Sequence, residues 1–238
     1  MNRGAATQDV ATIHDHKIEI YSKRYFDLSP TWFAWIKLSA VDVYSLRRER
    51  GFEGQHVFFH LNYPVRYVDL IGIIVSIESV GSGRYTILQL DDSSGLLIEV
   101  KIALTLSGHD GVSAPISSVH SNTDVQNLRV NVSMGVVKLV VSDIAVEVGH
   151  LLRVKGEMDE FRGIRQILPK RVWVVKNTSE EVEFWRKMEA FKKDVMSSPW
   201  ILEPGQRKEV DETARKRGLV ETKRKRRLER ARKEREAR

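Results

Sequence analysis

Cysteine is absent from the 238 residues. That removes disulfides, thiolate zinc centres and cysteine nucleophiles together, and an intracellular location is the simpler reading. No apolar run approaches the ~18 residues of a membrane span. Residues 1–20 lack the apolar block that follows a basic start in a signal peptide. An excess of either charge is also missing from most of the chain. The formal net charge is +7, but Gln206–Arg238 holds 15 Lys/Arg against 7 Asp/Glu, leaving 24 against 25 for residues 1–205. A neutral body with a basic tail argues against a domain that grips nucleic acid by charge alone.

The residues that are present can build a core, at 42% apolar. Residues 1–24 are polar and without period, and are expected to fray. Residues 25–62 form a helical and extended segment expected to pack on the domain after it. In this segment Ser29-Pro30 reads as a helix start, with Pro at the first helical position. Ser39 reads as the cap of a second short helix over Ala40–Arg48, with Val41, Tyr44 and Leu46 as its apolar side and Gly51 and Gly54 ending it. The period then changes. His56–Leu61 and Val65–Ser79 are rich in β-branched and aromatic residues. In the second run Ile71, Ile73, Val75 and Ile77 alternate with polar positions, whereas Val68 and Leu70 precede Gly72, so the inward face is expected to change at that glycine, as in a bent barrel strand. Arg84–Asp91 and Leu96–Ile102 complete a meander, joined by the tight turn Asp92-Ser93-Ser94-Gly95.

Residues 105–127 read as an exposed insertion within a broader one of about 105–147, and Val130–Ser142 as a hairpin turning near Met134-Gly135. Leu151–Glu157 and Arg165–Lys176 are the last strands, with Pro169 marking an edge or a bulge. Three strands, an insertion and two strands, the first one bent, predict a mainly β fold: a five-stranded OB barrel over 63–177. A helix comes next over 178–198, with Val182, Trp185, Met188, Phe191 and Val195 near one stripe. The tail, 199–238, is a solvated helix or an arm.

The segments FDLSPTWFAWIKLSAVDVYSLRRERGFEGQ, FFHLNYPVRYVDLIGIIVSIE, YTILQLDDSSGLLIEV and GHLLRVKGEMDEF, in that order, resemble the OB-fold (Stn-type) subunit of the telomere-capping CST complex in its fungal form. That subunit is similar in architecture to the middle subunit of replication protein A. The resemblance covers about Tyr25–Pro199. It rests on the aromatic segment before the barrel, on Asn62-Tyr63-Pro64-Val65-Arg66, on the Asp91–Gly95 turn, on Gly156 and on the helix after the last strand. It implies a protein of the nucleus and the chromosome end that forms a heterodimer with a very small OB-fold partner and binds telomeric single-stranded DNA. It leaves the large CST subunit open as a further partner. A general single-strand-binding subunit and an OB-fold adaptor that binds only protein are the alternatives.

Binding a single strand takes aromatic faces for bases and cations for phosphates. Tyr85 and Phe161 are the aromatic candidates, and Phe161 falls where relatives place a stacking residue. Arg84, Lys101, Arg153, Arg162 and Arg165 are the basic candidates. Relatives carry a Trp just after the third strand, where this chain has Lys101-Ile102-Ala103. The alternative for each residue is packing at the barrel rim or plain solubility. The stripe Val182, Trp185, Met188, Phe191 and Val195 is the expected partner contact, the alternative being a helix packed on its own barrel. Lys223, Arg224, Lys225, Arg226 and Arg227 match a nuclear-import signal and equally a phosphate-binding arm. Asp91-Asp92 tempts a catalytic reading, but the pair stands in a turn and reads as its cap. His14, His16, His56 and His60 form no completed ligand set. No catalytic residue, metal or cofactor is expected.

Overall fold

The computed structural model describes residues 18–105, 122–133 and 136–236. Most of the expected N-terminal fray, the centre of the insertion and the Met134-Gly135 turn lie outside the described residues. Ile18–Arg24 are placed, and Tyr21 is buried.

The first element is a 3-10 helix, Lys23–Leu28, which ends where the sequence suggested a start. Ser29 is extended, and its amide closes the turn on the Phe26 carbonyl at 2.8 Å. A residue before proline is pushed out of the α region, so Pro30 stops the helix instead of opening one. The Thr31 hydroxyl then donates to the Pro64 carbonyl at 2.7 Å and ties this turn to the barrel. Phe26, Trp32, Val57 and Phe59 bury one another in a small core of their own, with Phe52 stacked on Phe26. After a two-residue strand β1 (Ile36–Lys37), helix α1 runs over Ala40–Ser45. Ser39 caps it in a full capping box with Asp42, the arrangement that satisfies two free amides at once. Its buried side is Ala40 and Val43, with Leu46 just after, whereas Val41 faces out.

The barrel strands are β4 (Tyr67–Val80), β5 (Tyr85–Asp91), β6 (Leu97–Ala103), β10 (Leu151–Phe161) and β11 (Ile164–Val174), preceded by a short hairpin of β2 (Phe58–His60) and β3 (Tyr63–Val65). They pair in a ring, β4 to β5 to β6 to β11 to β10 and back to β4, and β1 lies parallel to β4 outside that ring. β11 and β6 are parallel neighbours and every other barrel pair is antiparallel. This is the five-stranded order expected from the sequence. The inward face of β4 differs from the expectation. Val68, Leu70 and Ile74 fill the core, while Ile73 and Val75 are 43% and 39% exposed. The register against β5 shifts between Ile74 and Ser76, and this bulge, not Gly72, returns Ile77 to the core side. Gly72 has a different task. A side chain there would stand 3.0 Å from the Asp91 carbonyl oxygen, so its absence lets β5 cross close by.

The insertion is less exposed than its composition suggests. β7 (Leu128–Ser133), β8 (Val136–Val141) and β9 (Ile144–Val146) form a three-stranded meander. Its Leu128, Val130, Leu139, Val141 and Val146 enter the barrel core, so the apolar stretch that follows the polar part of the insertion packs on the barrel. The bulge expected at Pro169 is present, where the β10–β11 register shifts between Lys155 and Gly156.

Helix α2 (Thr178–Asp194) is capped by the Asn177 side chain, which accepts from the Glu180 amide at 2.9 Å. Its Lys192 reaches back to both Asp42 carboxylate oxygens at 2.8 and 3.0 Å. Burial pushes the Asp42 carboxyl up, but the hydrogen bonds from Lys192 and from the Ser39 hydroxyl and amide outweigh it and hold it below the ordinary value. A depressed carboxyl contributes stability above its unfolded-state value, and that contribution is lost as pH falls through the folded-state value. Asp42→Asn is therefore expected to cost about 1 kcal/mol near pH ~7 and almost nothing near pH ~2. Urea midpoints measured for both proteins at the two pH values check this, and a gap independent of pH would refute it. Helix α3 (Pro204–Glu236) carries the basic tail. Among the described residues no helix is long and apolar enough to cross a membrane.

Candidate nucleic-acid interface

Tyr85 opens β5, Lys101 lies near the end of β6 and Phe161 ends β10. The ring closure of the barrel brings the three together. The Lys101 ammonium stands 4.8 Å from the Tyr85 ring centroid and 5.6 Å from that of Phe161. Arg162 stacks on the same Phe161 ring at 5.1 Å. Phe161 is 52% exposed, so its ring is not rim packing. Arg84 is exposed beside Tyr85, its Nε bonded to the Gly81 carbonyl at 3.0 Å. A cation held between two aromatic faces is the arrangement that a phosphate flanked by two bases requires.

The acidic residues near Phe161 are spent on other partners. Glu157 accepts from Arg66 at 2.7 Å. Asp159 lies 3.1 Å from His56 Nδ1. Glu160 pairs with Arg165 and, at 3.3 Å, with Arg48. Glu99 accepts from Gln166 at 2.6 Å. With Glu157 and Glu160 in ion pairs with arginines, less uncompensated negative charge faces Phe161 than the run of acidic residues implies, while Glu99, bonded to the neutral Gln166 amide, keeps its charge on the strand of Lys101.

Two of the basic candidates lie elsewhere. Arg165 is 8% exposed, donates to the Leu46 carbonyl at 2.8 Å and lies over the Phe58 ring at 4.2 Å. Burial lowers its pKa from the ordinary arginine value, with Glu160 opposing. It stitches α1 to the barrel, and its guanidinium has no free donor face for a phosphate. Arg153 stands on the outer face of β10, where it grips Asp69 through two hydrogen bonds of 2.8 and 2.6 Å. Side-chain direction in a strand is readable from sequence, but which of two outward faces meets the groove depends on the ring closure. The sequence reading missed Asp69, wholly buried on an outward strand position, and with it Trp173, whose ring faces Arg153 and Lys155, and Trp35, whose ring faces Lys155. A lone Asp in the apolar run VDLIG was the available signal.

The α2 stripe divides. Met188 and Phe184, which widens the stripe, are buried on Ile71 and Val175 of the same chain. Phe191 and Val195 are half-buried against the main core. Val182 is 58% exposed, and Trp185 is half-buried next to Leu151. By register, Leu151 faces Ile73, Ile73 faces Asp91, and Asp91 faces Leu97. Val182 on α2 and Ile73 and Leu97 on the sheet are thus exposed apolar positions on this side, with Asp91 between the last two.

Asp91 and Asp92 cap their turn, accepting from the Ser93 and Ser94 amides at 2.8 and 3.1 Å. Asp92 does more. Its second oxygen takes the Ala40 amide at 2.6 Å, so the turn also holds the N-terminus of α1. His60 Nε2 is 2.9 Å from the Met196 carbonyl oxygen, while His14 and His16 lie outside the described residues. Among the described residues no three His, Asp or Glu converge as metal ligands would. Lys223–Arg227 form an exposed segment of α3. The first turns of that helix are anchored: Asp211 accepts from the Tyr25 hydroxyl at 2.7 Å and from Arg24 at 3.1 Å.

Residues 51–116, from the loop after α1 through β6 into the insertion, match the family described as telomere regulation protein Stn1. The chain is Stn1-like. A bovine relative, CST complex subunit STN1, is 24% identical over 165 residues. The match takes in 68% of this chain and 41% of the relative, so the chain spans about two-fifths of the length of that protein. Among solved structures, that of yeast Stn1 and Ten1 superposes with a TM-score of 0.53 at 17% identity, covering 82% of this chain and 90% of that one. A Stn1–Ten1 complex of S. pombe gives a TM-score of 0.47 at 17% identity, over 69% of this chain and 95% of that one. The yeast match shows the shared fold. In this Stn1-like barrel the matched stretch includes Tyr85 and Lys101, while Phe161, Arg162 and α2 lie beyond it.

Proposed function

We propose that this chain is a telomere-capping subunit that pairs with a small OB-fold protein and binds and protects telomeric single-stranded DNA in the nucleus. The observation that carries the reading is the Lys101 ammonium between the Tyr85 and Phe161 rings, with Glu157 and Glu160 nearby held in ion pairs. Arg162 and Arg84 flank it, and Arg153 and Arg165 do not take part. The partner surface is Val182, Ile73 and Leu97 with the half-buried Trp185 beside them and Asp91 between the two sheet residues, since Met188, Phe191 and Val195 are used to hold α2 on its own barrel. The basic helix α3 adds sequence-independent attraction to phosphates and carries the import signal. The reading is that of a binding protein and assigns no catalytic step.

The test uses the full chain co-expressed with a small OB-fold partner and a fluorescent single-stranded telomeric repeat. Each base stack is worth about 1–3 kcal/mol. The double variant Tyr85→Ala, Phe161→Ala is expected to lose at least about tenfold in affinity while keeping its partner and its melting temperature. Unchanged affinity in that variant would sink the reading.

A further inference from the structure

The surface that begins at Lys101 does not end there. A depression of about 100 Å³ runs from Lys101 past Leu168 to Asp124 and Lys170. A second, of about 450 Å³, shares Asp124 and Lys170 with it and opens onto Arg171 and Trp173. Lys170 is the extra residue of the β11 bulge, because Pro169 faces Gly156 and Arg171 faces Lys155. The bulge moves the outward positions from even to odd numbers, and so turns both Arg171 and Trp173 to the outside. Beyond them, Lys155 stands 5.8 Å from the Trp173 ring and 5.9 Å from the Trp35 ring. Trp35 in turn packs at 5.1 Å on Tyr67.

Cations outnumber carboxylates on this face, although Asp124 lines both depressions and Glu180 and Glu183 stand near Arg153 and Lys37. One buried carboxylate, Asp69, is shared by Arg153 at 2.6 Å, Lys155 at 3.7 Å and Lys37 at 3.8 Å. Burial holds the Lys37 pKa below its ordinary value; Asp69 opposes, and Arg153, Lys155 and Lys187 press it further down. Lys170 and Arg171 are exposed and have no ion-pair partner among the described residues. An incoming anion relieves this excess. Aromatic faces alternate with these cations: Trp173, 38% exposed, then Lys155, then Trp35.

We propose that a single strand seated on Tyr85 and Phe161 continues over the Lys170 bulge, with its phosphates on Lys170 and Arg171 and a base on Trp173, toward the Lys155–Trp35 pair. This extends the groove proposed for Tyr85 and Phe161 and rests on it for the first part of the path. Nucleic acid is favoured over an acidic protein because the face offers rings and cations in alternation, starts at the groove and, among the described residues, lacks exposed aliphatic side chains between Lys170 and Trp35.

The experiment measures affinity of the full chain, with its small OB-fold partner, for oligodeoxythymidylates of increasing length. The double variant Arg171→Glu, Trp173→Ala leaves the barrel core untouched, and a retained cooperative melting transition checks that it folds, although the Trp173 ring also packs on Arg153 and Lys155. On long oligomers it is expected to bind about tenfold more weakly, since it loses one stack and one phosphate contact. Its salt slope should fall by about one. On the shortest oligomers that bind, parent and variant should be equal. The quenching of tryptophan fluorescence that long oligomers cause should fall with Trp173. Equal affinity at every length overturns the proposal. So does loss of the co-purified partner with DNA binding unchanged, which would make this face a protein interface. Tyr85→Ala, Phe161→Ala on short oligomers reads the groove separately: a loss there without the length effect keeps the groove and overturns the extension, and the reverse keeps the outer face and overturns the groove.

Discussion

Asp69→Asn should lower stability by on the order of 3 kcal/mol, enough to depress the melting temperature by about 10 °C in a chain of this size. Asp69 is wholly inaccessible, and among the described residues it is the only carboxylate bonded to Arg153 and the one paired with Lys37 and Lys155. Asparagine keeps the shape and removes the charge, so three cations on one patch are left facing one another. Taking one partner from a fully buried pair costs about 3–5 kcal/mol. Here the cations keep 20–34% of their side-chain surface in solvent, so the lower end applies. A second variant separates repulsion from lost packing. Asp69→Asn with Arg153→Met removes a cation together with the carboxylate and should recover much of the loss, because an apolar pair of similar volume is often as stable as a buried ion pair. Urea midpoints for the three proteins decide it. A loss under about 1 kcal/mol for Asp69→Asn would show that solvent, not Asp69, satisfies these cations. The same variant should retain short-oligomer binding, since Tyr85, Lys101 and Phe161 lie off this cluster.

Gly156→Ala is expected to be nearly as damaging, at about 2–3 kcal/mol, the upper range for overpacking. A methyl group on Gly156 would sit 2.4 Å from Ile167 Cγ2 and 2.5 Å from the Leu168 carbonyl oxygen. The first of these could turn away, but the second is backbone of the paired strand and cannot. Relief requires β10 and β11 to separate beside Pro169, next to the Lys170 bulge. The loss should therefore appear in two measurements: a lower denaturation midpoint, and weaker binding of long oligomers with short ones spared. Gly72, where the tightest contacts are 3.0–3.2 Å, is the natural control and should tolerate alanine at less cost. If Gly156→Ala melted with the parent protein, the strands would have more freedom than this packing permits.

Much of the barrel could be read from local signals. Strand order, the Asp91–Gly95 turn, the Ser39 cap and the Pro169 bulge each depend on residues a few positions apart, where backbone preference and short hydrogen bonds decide the outcome. Ser29-Pro30 is also local, but it carries two opposed signals: proline suits the start of a helix and stops the residue before it from being helical. The second signal prevails because Phe26 and Trp32 must pack on Phe59, which fixes where the 3-10 helix ends. Ile73 and Val75 show where periodicity fails. Their alternation is genuine, yet a single extra residue between Ile74 and Ser76 exchanges inside for outside, and this bulge, unlike that beside Pro169, has no proline to mark it.

The candidate site divides along the same line. Tyr85, Lys101, Phe161 and Arg162 could be named as aromatic and basic residues on barrel strands and loops, because chemistry and strand position are sequence properties. Their convergence, the pairing of Glu157, Asp159 and Glu160 with other partners, and the removal of Arg153 and Arg165 to structural tasks follow from contacts between residues far apart in the chain, such as Arg165 with Leu46 and Arg153 with Asp69. The division of the α2 stripe is of the same kind, since an amphipathic pattern shows that a face is covered but not by which chain. By itself the sequence determined an OB barrel of neutral charge with a basic tail, because period, turns and charge are carried residue by residue. Only the tertiary structure decided which cations remain available to a ligand, because a charge is free or spent according to what the closed ring of strands places beside it.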